Sequence, residues 1–211
     1  MSESTGTVAL PLADAERPYA DSWRANPFVW WALASLASST GTFLSLMGIR
    51  RVLAHSVEPT LESLTGLLWI GGVAAPVIVG LKGVLLAGII WALLELQFVD
   101  VDYRRCLAAV WTGELAIAAG GIWQALVGLF RGATSATELV VPVGLDVFWE
   151  PTSAAATVLS RSINVFLLAW GVIVFLRLST PSSGSSPRAT ALAVAAAGFV
   201  VSVLPLMTLV L

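Results

Sequence analysis

Lys82, Glu95 and Glu114 are ionisable residues set in or at the edge of long apolar stretches of this 211-residue chain. A charge held in hydrocarbon is costly, so each is read first as functional. Lys82 and Glu95 are 13 positions apart, about 20 Å along a helix, and cannot pair directly. Lys82 and Glu114 are the sharper pair. On antiparallel neighbours they come to depths of about 18 Å and 12 Å from one membrane face, a gap that a lysine stem covers. Two chemistries follow: an intramembrane ion pair that fixes helix register, or a protonatable site in a pathway. Glu95 closes its apolar stretch, where a carboxylate at the interface near Arg104 or Arg105 is the simpler reading.

Asn164 opens another apolar run, "INVFLLAWGVIVFLRLS". There it serves as a helix start, an interhelical hydrogen bond or a binding group. Arg50, Arg51 and His55, in "RRVLAHSVEPTLES", form a basic cluster suited to lipid phosphates. Trp30, Trp31, Trp69, Trp91, Trp123 and Trp149 are expected at headgroup level or against neighbouring helices. Enzyme signatures are missing: no Gly-x-Ser-x-Gly, phosphate loop or His-Glu-x-x-His is present. With His55 and Cys106 each alone of its kind, no Cys/His metal site and no intrachain disulfide can form. No catalytic residue, metal or cofactor is therefore expected. A net charge of −2 leaves no basic patch for nucleic acid.

The elements that must position these residues follow from composition. The chain is 57% hydrophobic and 11% charged, against about 25% charged in soluble domains. Such a surface fits lipid, and the expectation is an all-α, polytopic transmembrane bundle. Residues 1–25 read as a flexible cytoplasmic tail and 26–211 as the membrane domain. Spans of about 20 residues fall at 28–47, 73–94, 106–130, 163–178 and 191–211. Leu61–Gly72 is expected as an extra interfacial or re-entrant segment, and Pro76 as a first-turn proline. The alternative, a turn near Gly80–Lys82–Gly83 that splits 64–99 in two, inverts the arginine bias. Five spans put Arg17, Arg24, Arg104, Arg105, Arg177 and Arg188 inside, against Arg50, Arg51, Arg131 and Arg161 outside. Small residues recur at 35/38/42/45, at 113/116/120 and at 191/195/198/202, as helix-packing stripes do.

Asn164, Phe166 and Trp170, followed by "SSGSSPRATALAVAAAGFVVSVL", carry a resemblance. With the five-span layout, they resemble the bacterial branch of the Yip1 domain family over residues 26–211. Asn164 stands where that family usually has Asp, and "ELQFVDVDYRR" replaces its Gly-pair turn. The resemblance implies a multi-pass protein of the cell (inner) membrane, with a cytoplasmic N-terminus and an extracytoplasmic C-terminus. It implies a non-enzymatic scaffold or accessory role against other membrane proteins, an ABC-type exporter or a second copy of itself. The competing expectation is a small transporter or channel that uses Lys82 and Glu114.

Overall fold

Asn26 and Pro27 begin the first helix as such a pair should: the Asn26 carboxamide oxygen accepts from the Phe28 N–H at 3.0 Å, and proline suits the first helical position. The computed structural model describes residues 26–53, 59–132, 143–148, 153–179 and 186–203. Among them the architecture is all-helical: α1 Pro27–Leu53, α2 Pro59–Glu95, α3 Tyr103–Phe130, a 3-10 turn at Leu145–Val147, α4 Ala154–Ser162, α5 Val165–Leu178 and α6 Pro187–Val203. The N-terminal tail, His55, Trp149 and the last residues of the fifth expected span lie outside the described set.

Three of these helices are long and apolar enough to cross a membrane, over Pro27–Val52, Trp69–Glu95 and Tyr103–Phe130. α5 and α6 are shorter apolar helices. The contacts fix their directions. Phe28 meets Trp111 at 6.5 Å between ring centroids, and Arg51 donates to the Leu129 carbonyl at 2.9 Å, so α1 and α3 run parallel. α2 runs antiparallel to both. On the α3 face, Phe166 lies against Gly120 and Trp170 against Gly113, which sets α5 antiparallel to α3. α6 returns beside α5, with Val194 near Gly171 and Trp170 near Gly198. Leu86, Ile90 and Leu94 of α2, Val110 of α3, Trp170 and Val174 of α5 and Ala193 of α6 close a common core.

The expected break before the second span is not there. Leu61–Gly72 is helical and continuous with the rest of α2, neither a separate interfacial segment nor a re-entrant one. Pro76 sits inside this helix rather than in its first turn. Proline has no N–H, so the carbonyl four residues earlier, Gly72, loses its helical partner. The Ser39 hydroxyl of α1 donates to that carbonyl at 2.9 Å. A neighbour's hydroxyl thus repairs the defect, as intramembrane prolines require.

The other helix ends are equally local in origin. After α2 the chain turns through Phe98, whose φ is +58°. Val99 N–H bonds Leu94 O at 3.0 Å and Phe98 N–H bonds Glu95 O at 2.9 Å, a Schellman arrangement with phenylalanine where glycine is usual. The expected fourth span, 163–178, is interrupted at its start. α4 ends at Ser162, and Asn164 adopts extended backbone before α5 begins at Val165. The last helix starts at Pro187, earlier than expected, with Ser186 accepting from the Ala189 N–H at 3.3 Å.

Two outcomes follow. Ser39→Ala should lower stability in detergent by about 1 kcal/mol, and by much less when Pro76→Ala has restored the missing N–H. A double-mutant cycle on thermal midpoints measures the difference, and equal losses in both backgrounds would contradict the repair. Phe98→Gly should raise stability by about 1 kcal/mol, because it removes the left-handed penalty from a bulky residue; the same thermal scan reads it.

Candidate functional site

The polar centre of the bundle is built on one face of α2, where glycines make room for rings. A Cβ on Gly72 would come to 3.0 Å from Phe43, and one on Gly80 to 3.1 Å from the Trp31 indole nitrogen; on Gly83 it would collide with the Trp111 indole. Both indoles then donate to backbone. Trp31 Nε1 reaches Pro76 O at 2.9 Å, and Trp111 Nε1 reaches Val79 O at 3.3 Å. In each case the acceptor is the carbonyl four residues before the glycine under the ring. Gly80 and Gly83, the residues of the alternative turn, are instead the seats of two tryptophans.

Lys82 lies between those seats. Its Nζ is 2.9 Å from Oε2 of Glu114, with the lysine side chain 28% exposed and the glutamate side chain 4%. The structure therefore brings together the two residues that depth arithmetic put within reach. Register comes from the surrounding α2–α3 contacts: Trp111 on Gly83, Tyr103 Oη donating to Val84 O at 3.2 Å, and Trp91 edge-on to Tyr103 at 6.2 Å. The second carboxylate oxygen, Glu114 Oε1, is buried without a hydrogen-bond partner. Chemically the arrangement can do two things. It neutralises a lysine and a glutamate that lipid would not tolerate singly, and it leaves one lone-pair oxygen open to a proton.

The remaining predicted residues are not part of this centre. Asn164 caps α5 by accepting from Phe166 N–H at 3.0 Å and Leu167 N–H at 2.9 Å. Its amide nitrogen donates to Arg161 O at 3.2 Å, so one side chain ties the end of α4 to the start of α5. Phe166 and Trp170 pack on Gly120 and Gly113, where a Cβ would stand at 2.6 Å and 2.7 Å from their rings. The 113/116/120 stripe thus receives the family-like motif. Arg51 is engaged with Leu129 O, and Arg50 stands 5.9 Å over the Trp69 ring. Glu95 is exposed at the end of α2, on the same end of the bundle as Arg104 and Arg105. Among the described residues no group of three metal-ligating side chains occurs.

Sequence reasoning missed Ser39, Trp111 and the full role of Trp170. The serine stripe of α1 turns mostly on itself: Thr42 and Ser45 donate to carbonyls of their own helix at 3.0 Å each, and the buried Ser35 hydroxyl has no partner. The residue that reaches across is Ser39, off that stripe. Its signal was the proline on the other helix. The geometry defines an all-helical protein with apolar helices of membrane-crossing length. No family model, curated protein or solved structure matches the chain.

Lys82→Met or Glu114→Gln alone should destabilise the bundle by about 3 kcal/mol, because each strands a polar partner. The double variant should recover most of that loss. Additive losses in chemical or thermal unfolding would show that the contact contributes no coupling.

Proposed function

We propose that this chain is a five-span, non-enzymatic integral membrane protein whose work is to pack against other membrane proteins. The observation that carries this reading is the use made of the polar side chains between helices. Ser39, Trp31, Trp111 and Lys82 are all engaged in joining one helix to another. Outward, α2 presents Val73, Val77 and Leu81, and α5 presents Val165, Leu168, Val172 and Leu176, all exposed. An apolar belt of that extent belongs against lipid or a membrane partner.

The five-span count is supported by direction and by charge. α5 and α6 rise about 21 Å and 26 Å, short of the roughly 30 Å hydrocarbon core, but they continue the alternation of α1 to α3. Arg104, Arg105, Arg177 and Arg188 come to the end where α1 begins, and Arg50, Arg51, Arg131 and Arg161 to the other. With Arg17 and Arg24, which precede α1 in sequence, counted on the first end, the positive-inside rule favours that end as cytoplasmic. An accessory role beside an ABC-type exporter, as the family resemblance implies, is the form of this proposal with a definite partner.

A second reading, proton-coupled transport, is favoured by the unpartnered Glu114 Oε1. The two separate in one preparation. After mild-detergent purification, a packing protein brings a membrane protein partner with it and moves no protons when reconstituted into liposomes. Proton flux that Glu114→Gln abolishes would overturn the packing role. In cells, tags at Gln97 and at the C-terminus should report opposite sides of the membrane; the same side would contradict five spans.

A further inference from the structure

Between α5 and α6 lies a groove of about 570 Å³. It is lined by the small residues Gly171, Ala191, Ala195 and Gly198 and by Phe175 and Phe199. Polar groups are almost absent from it. The Ser202 hydroxyl is turned to its own helix, donating to Gly198 O at 3.0 Å. The Trp170 indole nitrogen points to the other side, toward Gly113 of α3. A polar solute would find nothing to bond here, so the occupant is hydrocarbon.

Length and the neighbouring charge choose among apolar occupants. From Ala191 to Ser202 the groove follows 11 residues of α6, about 16 Å of rise. One leaflet of hydrocarbon is half of roughly 30 Å, the depth that a single acyl chain covers.

A cation lies one turn beyond the lining residues on α6. Arg188 lies one helical turn before Ala191, on the 188/191/195/198/202 line of α6, and it is exposed. No acidic side chain pairs with it among the described residues. It sits at the end of the bundle that carries Arg104, Arg105 and Arg177. A guanidinium at headgroup level above a chain-sized apolar slot is complementary to an anionic lipid phosphate.

We infer that the α5–α6 groove is a binding site for one anionic glycerophospholipid, an acyl chain lying along Ala191–Ser202 and its phosphate on Arg188. This rests on the membrane reading above. The site would seal the joint between the two shorter apolar helices with a resident lipid.

The test is native mass spectrometry of the full-length protein, purified in detergent and titrated with phosphatidylglycerol or with phosphatidylcholine of the same chains. The wild type should retain one phosphatidylglycerol, in preference to phosphatidylcholine. Arg188→Gln should reduce that preference about fivefold, the weight of one basic side chain near a charged headgroup. Ala195→Trp, which fills the groove from an exposed lining position, should abolish retention of both lipids. Ala191→Leu is the milder filling variant, and should weaken both, should the tryptophan unfold the protein. Undiminished retention of one phosphatidylglycerol by Arg188→Gln and by a folded filling variant would overturn the site. So would a wild type that needs detergent to leave the membrane yet retains no lipid. A chain that stays dispersed in buffer without detergent would overturn the membrane reading itself, and is told apart by that fractionation.

Discussion

Everything in this bundle turns on how α2 keeps its backbone and its one lysine satisfied in apolar surroundings. Water is absent from a bilayer core, so each polar group there must be met by another helix. α2 creates two needs: Pro76 frees the Gly72 carbonyl, and Lys82 brings a charge. α1 answers the first through Ser39 and α3 answers the second through Glu114. The answers come from two adjacent neighbours, since α1 and α3 also pack on each other with Gly41 against the backbone at Ile122, and together they fix one face of α2. The tryptophans act in the same sense. Trp31 and Trp111 rest on glycines of α2 and donate to its carbonyls, which adds a directional bond to close packing.

The second layer is held by the same device, without charge. α3 offers Gly113 and Gly120, and α5 places Trp170 and Phe166 on them. Asn164 makes this possible by starting α5 at the right residue. It caps the N–H groups of one helix and donates to the last carbonyls of the other, so the chain can stop and restart with its backbone polar groups met. Gly144 supports the same junction, since it lies so close to the Ser160 carbonyl that no side chain fits there. α6 then joins α5 loosely on its outer side, where small residues leave a slot rather than a seam.

Much of this was legible in the sequence, and the reasons divide cleanly. Helix content follows from composition, and the start at Pro27 follows from local chemistry that needs no partner, whereas the last span was expected from Ala191 and its helix begins at Pro187. Asn164 could be read as a helix start for the same reason. Two antiparallel helices and a known rise are enough to bring Lys82 and Glu114 within reach. What was illegible is long-range. Pro76 reads as a helix start because its cost is local, whereas the hydroxyl that removes the cost is 33 residues from the Gly72 carbonyl it meets. Gly80 and Gly83 left a turn open as the alternative, because glycine alone does not say which ring will cover it. Phe98 in a left-handed conformation runs against its own preference; the bonds to Leu94 and Glu95 and the burial of Val99 against Leu94 hold it there.

The central claim is that α2 runs as one unbroken helix, held by α1 and α3, rather than turning at Gly80–Gly83. Gly66 and Gly88 have open space around a would-be Cβ, so both accept a spin label on a Cys106→Ala background. A pulsed electron-paramagnetic-resonance distance between labels at Gly66→Cys and Gly88→Cys in lipid nanodiscs should centre near 33 Å, the rise of a continuous helix over 22 residues. A distance below about 20 Å, as a chain folded back on itself would give, would contradict the account.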